Sequence, residues 1–434
     1  MHNFEDILDF CYNETGENKL ITTINGRMNV MQCIQEIKKD VYWIGGNDFS
    51  TERFENMLPL PNGVSYNSYL ILDEKTAIID SVDASIRVQF LTNAKYLLQN
   101  RKLDYLVINH MEPDHCAALV DLVEMYPDVK IVGNAKIFTF FEQFYGKPCP
   151  DNYVTVGEGD VIDLGRHKLQ SFKAPMVHWP EVTVTFEQTE KLLFSADAFG
   201  TFGTLNGNIF ADEVDYEAVY LADARRYYSN IVGKFGPQVQ LALKKLLPLG
   251  IEMIAPLHGP IYRTPETIQY IVGKYNAWSS YEPEKKGVLI AFASMYGNTA
   301  AVANALANKL ALRGITDMRM YDVSKTHPSF IVAEAWKYSH LVLAAPTYNL
   351  NLYLTMENFL HDLKCLHFQN RKFAVIGNHS WASAAKKRMV EYVTEYFKES
   401  ELIGDALDFK SSLKTEQEKE LDALADAIAE SVKA

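Results

Sequence analysis

Four residues able to bind a metal ion fall within six positions of this chain: His110, Glu112, Asp114 and His115, in the stretch His110-Met111-Glu112-Pro113-Asp114-His115. The apolar residues 103–109 before them read as a short buried strand. Pro113 fixes part of the turn that follows, so a tight loop can aim all four side chains inward. Three further candidates stand near the ends of other apolar segments: His178 in Met176-Val177-His178-Trp179-Pro180, Asp197 in Ser195-Ala196-Asp197-Ala198, and His258 in Pro256-Leu257-His258-Gly259-Pro260. An unpaired carboxylate or imidazole is costly in such places. Taken singly, His258 would be a hydrogen-bonded loop histidine and Asp197 a helix cap. Solvation alone does not readily produce the whole set. Four imidazoles and three carboxylates suffice for two metal ions sharing one carboxylate. A pair about 3.5–4 Å apart could hold a small molecule between them. Zinc tolerates histidine-rich tetrahedral sites, whereas iron and manganese accept more oxygen ligands.

A second chemistry is written in Ser294-Met295-Tyr296-Gly297-Asn298-Thr299, between an expected buried strand (288–292) and an expected amphipathic helix (300–313). Backbone N–H groups at a helix N-terminus favour an anion. Gly297 permits close approach, and Ser294, Asn298 and Thr299 add short donors. The loop holds no Lys or Arg, and the Gly-Lys-Ser/Thr ending of a nucleoside triphosphate loop is absent. By itself it could equally be an ordinary capped turn. Pro346-Thr347-Tyr348-Asn349 and Gly377-Asn378-His379-Ser380-Trp381 follow two further expected strands, at the strand ends where doubly wound sheets bind ligands. Tyr348 and Trp381 are placed to flank a planar ring.

These residues need two scaffolds, and the chain has two rhythms. Its 434 residues exceed one ordinary core. Strand signals dominate from residue 40 to about 205: a hairpin over 64–80 turning at Asp73-Glu74-Lys75, then strands at 129–133, 161–164, 169–174, 182–187 and 192–196. Helices are expected over 84–99, 116–126, 216–231 and 237–247, which suits a β-sandwich with helices outside. Residues 276–286, polar and containing Pro283, read as a linker. Strict β/α alternation follows, implying a doubly wound parallel sheet over 287–434. The sandwich is thereby placed at 37–275, with residues 1–36 an N-terminal extension of no evident role.

Composition narrows the partners. A formal net charge of −13 argues against nucleic acid or an anionic membrane as the main one. No apolar run reaches about 18 residues, so no membrane span is expected. Glu5, Asp6 and Asp9 replace the basic start of a secretory signal. Five dispersed cysteines (Cys11, Cys33, Cys116, Cys149, Cys365) form no C-x-x-C pair. They fit a reducing, cytoplasmic compartment and are expected to be buried small hydrophobes.

The run H-x-E-x-D-H followed by His, Asp and His resembles the metallo-β-lactamase superfamily over residues 37–270. It departs where Glu112 replaces the usual second histidine, which shifts the expectation from zinc hydrolysis toward iron redox chemistry. The three loops at 294–299, 346–349 and 377–381 resemble flavodoxin, although the last departs from the usual Gly-Ser-Tyr-Gly-Trp and leaves His379 as an alternative cover for the ring. In this order the two signatures resemble the flavodiiron proteins, as do His178-Trp179-Pro180 and Ser65-Tyr66-Asn67-Ser68-Tyr69-Leu70.

The resemblance implies an αββα metallo-β-lactamase-like sandwich followed by a flavodoxin-like sheet, with FMN and two non-haem iron ions. It puts His110, Glu112 and His178 on one iron and Asp114, His115 and His258 on the other, with Asp197 bridging; relatives differ in whether His115 coordinates. It implies an oxidoreductase that reduces O2 to water, NO to N2O, or both, with electrons passing from an external donor through FMN to the irons. It further implies a head-to-tail homodimer, alone or paired into a tetramer, and a separate donor such as rubredoxin, because no pair of C-x-x-C motifs is present.

Overall fold

A computed structural model of the chain describes residues 31–146 and 150–434. Most of the N-terminal extension, with Cys11 and Cys149, lies outside the described residues. The first strand, Gln35–Lys38, begins within the expected extension.

Two sheets build the first unit. The larger has seven strands in the order Gln35–Lys38, Val41–Trp43, Tyr69–Leu72, Thr76–Ile79, Tyr105–Val107, Lys130–Gly133 and Tyr153–Thr155. Its first four pair antiparallel; the others run parallel to Thr76–Ile79. The helices Arg87–Leu98, Leu119–Met125 and Ala135–Tyr145 make the crossovers that parallel pairing requires. The smaller sheet orders Val161–Asp163, Lys168–Lys173, Thr183–Glu187, Leu192–Phe194 and Met253–Ala255. The inner faces meet at Val107, Val132, Ile162 and Leu169. Thr183–Glu187 is buried along its whole length, as a strand covered on both faces must be.

The second unit is a parallel sheet in the order Met318–Asp322, Lys285–Phe292, Tyr338–Tyr348, Lys372–His379 and Leu407–Lys410. This is the 2-1-3-4-5 order of flavodoxin-like folds, and the loops at its switch point are those singled out above. The final helix Glu418–Lys433, outside the elements expected from sequence, buries Leu421, Leu424, Ala425, Ile428 and Val432 at helical spacing against Asn298–Leu312.

The stretch expected as a linker is largely structured. Residues 276–279 end the helix Pro265–Ser279, with Trp278 and Ser279 buried, and Lys285 already starts a strand. Between them the Glu284 carboxylate accepts hydrogen bonds from Arg225, from Lys274 Nζ at 2.9 Å and from Trp278 Nε1 at 2.7 Å. The Arg226 guanidinium lies between the rings of Phe202 and Phe330, 4.5 and 4.3 Å from their centres, and so spans the two units. The units are therefore held by a packed junction.

Cys116 is buried as expected, but Cys33 and Cys365 are exposed. Cys365 ends the helix Leu354–Cys365, and Cys33 precedes the first strand with its backbone held by the Asn93 side chain. No helix among the described residues is long and apolar enough to cross a membrane.

Candidate metal centre and flavin pocket

All seven candidate ligands converge. His110 emerges three residues beyond the strand Tyr105–Val107, on a backbone held by Asp80. The Asp80 carboxylate accepts from Asn109 N at 2.7 Å, Asn109 Nδ2 at 2.9 Å and His110 N at 3.2 Å. Pro113 opens the short helix Pro113–Cys116, with Glu112 as its N-cap, so that Glu112, Asp114 and His115 project from one turn. Asp197 and His258 follow the strands Leu192–Phe194 and Met253–Ala255. Non-glycine residues with left-handed backbones flank the site: Met176 (φ 65°), Ala196 (φ 52°) and Phe199 (φ 69°). Such conformations cost on the order of 1 kcal/mol each and persist where the surroundings dictate them.

The side chains form two buried nests. In one, Glu112 Oε2 lies 3.2 Å from His110 Nε2 and 2.9 Å from His178 Nε2. In the other, Asp114 Oδ2 lies 3.3 Å from both His115 Nε2 and His258 Nε2. Asp197 stands between them. Its Oδ2 is 3.1 Å from His110 and 3.3 Å from His178, and its Oδ1 is 3.0 Å from His115 and 3.6 Å from His258.

The histidines are orientated from behind. His258 Nδ1 is 2.8 Å from the Ser65 carbonyl, which can only accept, so Nδ1 carries the proton and Nε2 turns its lone pair inward. His110 Nδ1 is held in the same sense by Glu181 Oε1 at 2.7 Å. The segment Ser65-Tyr66-Asn67-Ser68-Tyr69-Leu70 braces the His258 loop. Ser65 Oγ accepts from Gly259 N, Asn67 Nδ2 donates to the Pro256 and Gly259 carbonyls, and Tyr69 OH donates to Pro256 O. Gly259 (φ 75°) is required there, because a Cβ would meet Thr201 at 2.2 Å.

The protein's own groups leave this cluster unsatisfied. Both Asp114 oxygens, both Asp197 oxygens, both His115 nitrogens and His258 Nε2 are buried without an aligned hydrogen bond. Burial, reinforced by Glu112 and Asp197 against the opposing pull of His115, pushes Asp114 up to about 8. Burial pulls the His178 imidazole down, but Asp197 and Glu112 outweigh it and hold it at about 9. Burial pushes His258 below its ordinary value. A cation in each nest would satisfy the inward-facing carboxylate oxygens and imidazole Nε2 atoms, though not His115 Nδ1, and the mixed nitrogen and oxygen donors suit iron.

A cavity of about 350 Å3 leads to Glu112 and Asp114, lined by Thr51, Arg53, Glu55, Asn56 and Tyr66 among others. It is roofed by the tight turn between the strands Arg53–Phe54 and Leu58–Pro59, where Glu55 (φ 49°) and Asn56 (φ 54°) are both left-handed. Glu181, Asp80 and Ser65 are supporting groups that sequence reasoning did not assign. Their signal was faint: polar residues at the edges of apolar strands.

The second site is a cleft at the end of the parallel sheet. Ser294, Met295, Tyr296, Asn298, Thr299, Pro346, Thr347, Asn349, Asn378, His379, Ser380 and Trp381 line it, together with Leu350, Ala382 and Ser411, which sequence reasoning did not select. Gly297 (φ 91°) stands immediately before the helix Asn298–Leu312 and turns the chain into it. Two expected residues lie elsewhere. Tyr348 turns toward Tyr353, with ring centres 5.8 Å apart. Gly377 is a packing position, since a Cβ would meet Asp408 Oδ1 and Lys386 at 2.8 Å. Thr347 Oγ1 accepts from Ala384 N and Ala385 N and so also caps the helix Ala385–Glu391. Among the described residues, no Lys or Arg lines the cleft. A phosphate there would be held by helix-terminal N–H groups and hydroxyls, and planar aromatic neighbours stand beside it, which fits FMN.

Comparison with known proteins agrees with both sites. The ODP family beta lactamase profile matches residues 64–259, and the flavodoxin profile matches residues 290–423. The chain is 32% identical over 369 residues to the anaerobic nitric oxide reductase flavorubredoxin of Vibrio vulnificus, covering 83% of this chain and 72% of that protein. Among solved structures, rubredoxin oxygen:oxidoreductase from Desulfovibrio gigas aligns with a TM-score of 0.86 at 26% identity, covering 92% of this chain and 99% of that one. The flavodiiron protein from Giardia intestinalis aligns with a TM-score of 0.86 at 25% identity, over 93% and 98%. With two nests for metal, a flavin cleft and this degree of similarity along most of its length, the chain belongs to the flavodiiron protein family.

Proposed function

We propose that this protein is a flavodiiron oxidoreductase that reduces O2 to water, NO to N2O, or both. The observation that carries the reading is Asp197, whose two carboxylate oxygens point into two separate buried nests. His110, Glu112 and His178 would hold one iron, Asp114, His115 and His258 the other, and Asp197 would bridge them. The orientation of His115 Nε2 toward Asp197 and Asp114 supports counting it among the ligands. Loops 294–299, 346–349 and 377–381 would hold FMN. The expected division at about residues 275–287 follows the packed junction.

When bound in these loops and nests, FMN would supply one-electron transfer chemistry and the irons a place to reduce the diatomic substrate with the external donor's electrons. The protein supplies position. Nδ1 anchors on His110 and His258 keep both Nε2 atoms facing inward before any metal arrives. The cavity under the Arg53–Phe54 hairpin admits a small molecule to the side of the site bearing Glu112 and Asp114. No protein nucleophile is required.

Among the described residues, none lines both the flavin cleft and the metal-site cavity. A head-to-tail homodimer, in which each flavin faces its partner's metal site, is the arrangement proposed to bring them together, as a dimer or a pair of dimers. A separate electron donor such as rubredoxin and a cytoplasmic location complete the reading.

Metal and flavin content of protein from iron-replete cells tests it. About two irons and one FMN per chain are expected, followed by consumption of O2 or NO in anaerobic assays with reduced donor. Zinc in both nests would instead indicate a hydrolase, and FMN without metal a redox relay.

A further inference from the structure

The two nests are not equivalent from behind. His110 Nδ1 faces the Glu181 carboxylate at 2.7 Å, inside the fold, with both side chains fully buried. The same Oε1 also accepts from Met111 N at 3.1 Å, and the Glu181 backbone carbonyl accepts from Asn134 Nδ2 at 2.6 Å. Glu181 is therefore locked at both ends. His258 Nδ1, in the other nest, faces only the neutral Ser65 carbonyl. His115 Nδ1 has no hydrogen-bond partner among the described residues. No other ligand imidazole has a carboxylate behind its Nδ1 among the described residues.

An anionic acceptor behind an imidazole makes the far nitrogen a stronger donor and fixes its direction. A stronger donor favours the more highly charged state of whatever cation it binds. Resting on the ligand assignment above, we propose that Glu181 is a positioning residue that splits the two metal positions electronically. Through His110 it lowers the reduction potential of the ion held by His110, Glu112 and His178 relative to the ion held by Asp114, His115 and His258. Electrons delivered one at a time would then settle first on the His115–His258 side, and the His110 side would be the last reduced and the first to give its electron up.

The test uses the full chain loaded with FMN and iron. Reductive titration of the wild type, followed by Mössbauer and low-temperature EPR spectroscopy, should resolve two iron steps. E181Q keeps the size and an acceptor oxygen but removes the charge. It should move the lower-potential step upward, by about 59 mV for each tenfold of selective weakening of the oxidised form. The other iron step and the FMN potentials should stay in place. Both iron steps unmoved, or both moved together, would overturn the proposal. E181A supplies a second readout by chelator competition. One of the two ions should bind about 10- to 100-fold more weakly, and equal weakening of both ions, or of neither, would overturn it. A wild type that takes up fewer than two irons refutes the diiron reading itself, before any variant is measured.

Discussion

Replacing Glu284 with Gln should loosen the junction between the two units by ~3 kcal/mol, a figure reached by two routes. Glu284 has a side chain only 5% exposed. Burial alone would raise its carboxyl, but the hydrogen bonds and charges of Arg225 and Lys274 outweigh burial and hold it at about 2, against an ordinary value of 4.5. At 1.36 kcal/mol per unit, the charged form is favoured by ~3 kcal/mol in the fold. Breaking a buried pair by removing one partner costs about 3–5 kcal/mol, because the other charge is stranded; here the stranded group is Arg225, 4% exposed. Urea denaturation at pH 7 reads the difference. Fluorescence of Trp278 is the reporter, because its indole donates to Glu284 Oε1. A depressed carboxyl stabilises the fold at all pH values above its unfolded value. The wild-type advantage should therefore be the same at pH 6 and pH 8, and shrink only as pH falls from about 4.5 toward 2. A difference below 1 kcal/mol at pH 7, or one that already fades between pH 8 and pH 6, would refute the reasoning.

Asp197→Ala removes the group shared by both nests and should take metal content from about two ions per chain to below one while leaving FMN bound; stoichiometric iron in that variant would remove the bridging role. Gly297→Ala meets open space but a left-handed backbone (φ 91°), so FMN should bind about tenfold more weakly, for a strain of ~1–2 kcal/mol, with metal content unchanged; an unaltered flavin affinity would show that the turn does not shape the phosphate site. Metal loading at pH 7 should release protons from Asp114, raised to about 8, from His178, held at about 9, and from His110, which, against burial, Asp197, Glu112 and Glu181 hold well above its ordinary value. Apparent metal affinity should therefore fall as pH is lowered, and loading that leaves the pH of a weakly buffered solution unmoved would contradict it. Trp381→Asp places a charge on an exposed aromatic at the flavin rim and should shift sedimentation toward monomer; an unchanged assembly would place the dimer contact elsewhere.

The seven candidate ligands stood out in the sequence because they lie near the ends of apolar strands and because four crowd one turn, and the fold brings them together. The α/β alternation of the second unit was equally plain, down to the loops at its switch point. The failures have physical causes. Residues 276–286 look like a linker because they are polar, yet ion pairing lets Glu284 be buried and lets Trp278 join it. Glu181 has no local pattern: only the fold brings it behind His110, 71 residues away. Tyr348 and Trp381 are both aromatics at or just beyond strand ends, and nothing in either stretch says that Trp381 lines the cleft while Tyr348 turns toward Tyr353. The short strands between residues 35 and 59 are two to four residues long, too brief for periodicity to mark.

The exposed apolar residues bear on how the two sites meet. Around the flavin cleft, Tyr296 is 91% exposed and Trp381 84%, and Leu350, also exposed, lines the same cleft. Beside the metal-site cavity, Phe49 is 76% exposed and Met57 53%, next in sequence to the cavity-lining residues 51–56. Large apolar side chains gathered at two functional mouths are expensive to leave in water and commonly mark contact surfaces. A two-fold axis that set one copy's flavin rim against the other's metal mouth would cover both patches twice with a single kind of contact. It would also bring one copy's flavin cleft to the other's metal-site cavity, which share no lining residue within the described part of one chain. The packed junction around Glu284 and Arg226 then has a function. A reciprocal dimer can align both pairs of sites only if each chain holds its two units at a fixed angle, and two fixed units are what Arg226, clasped between Phe202 and Phe330, helps to provide.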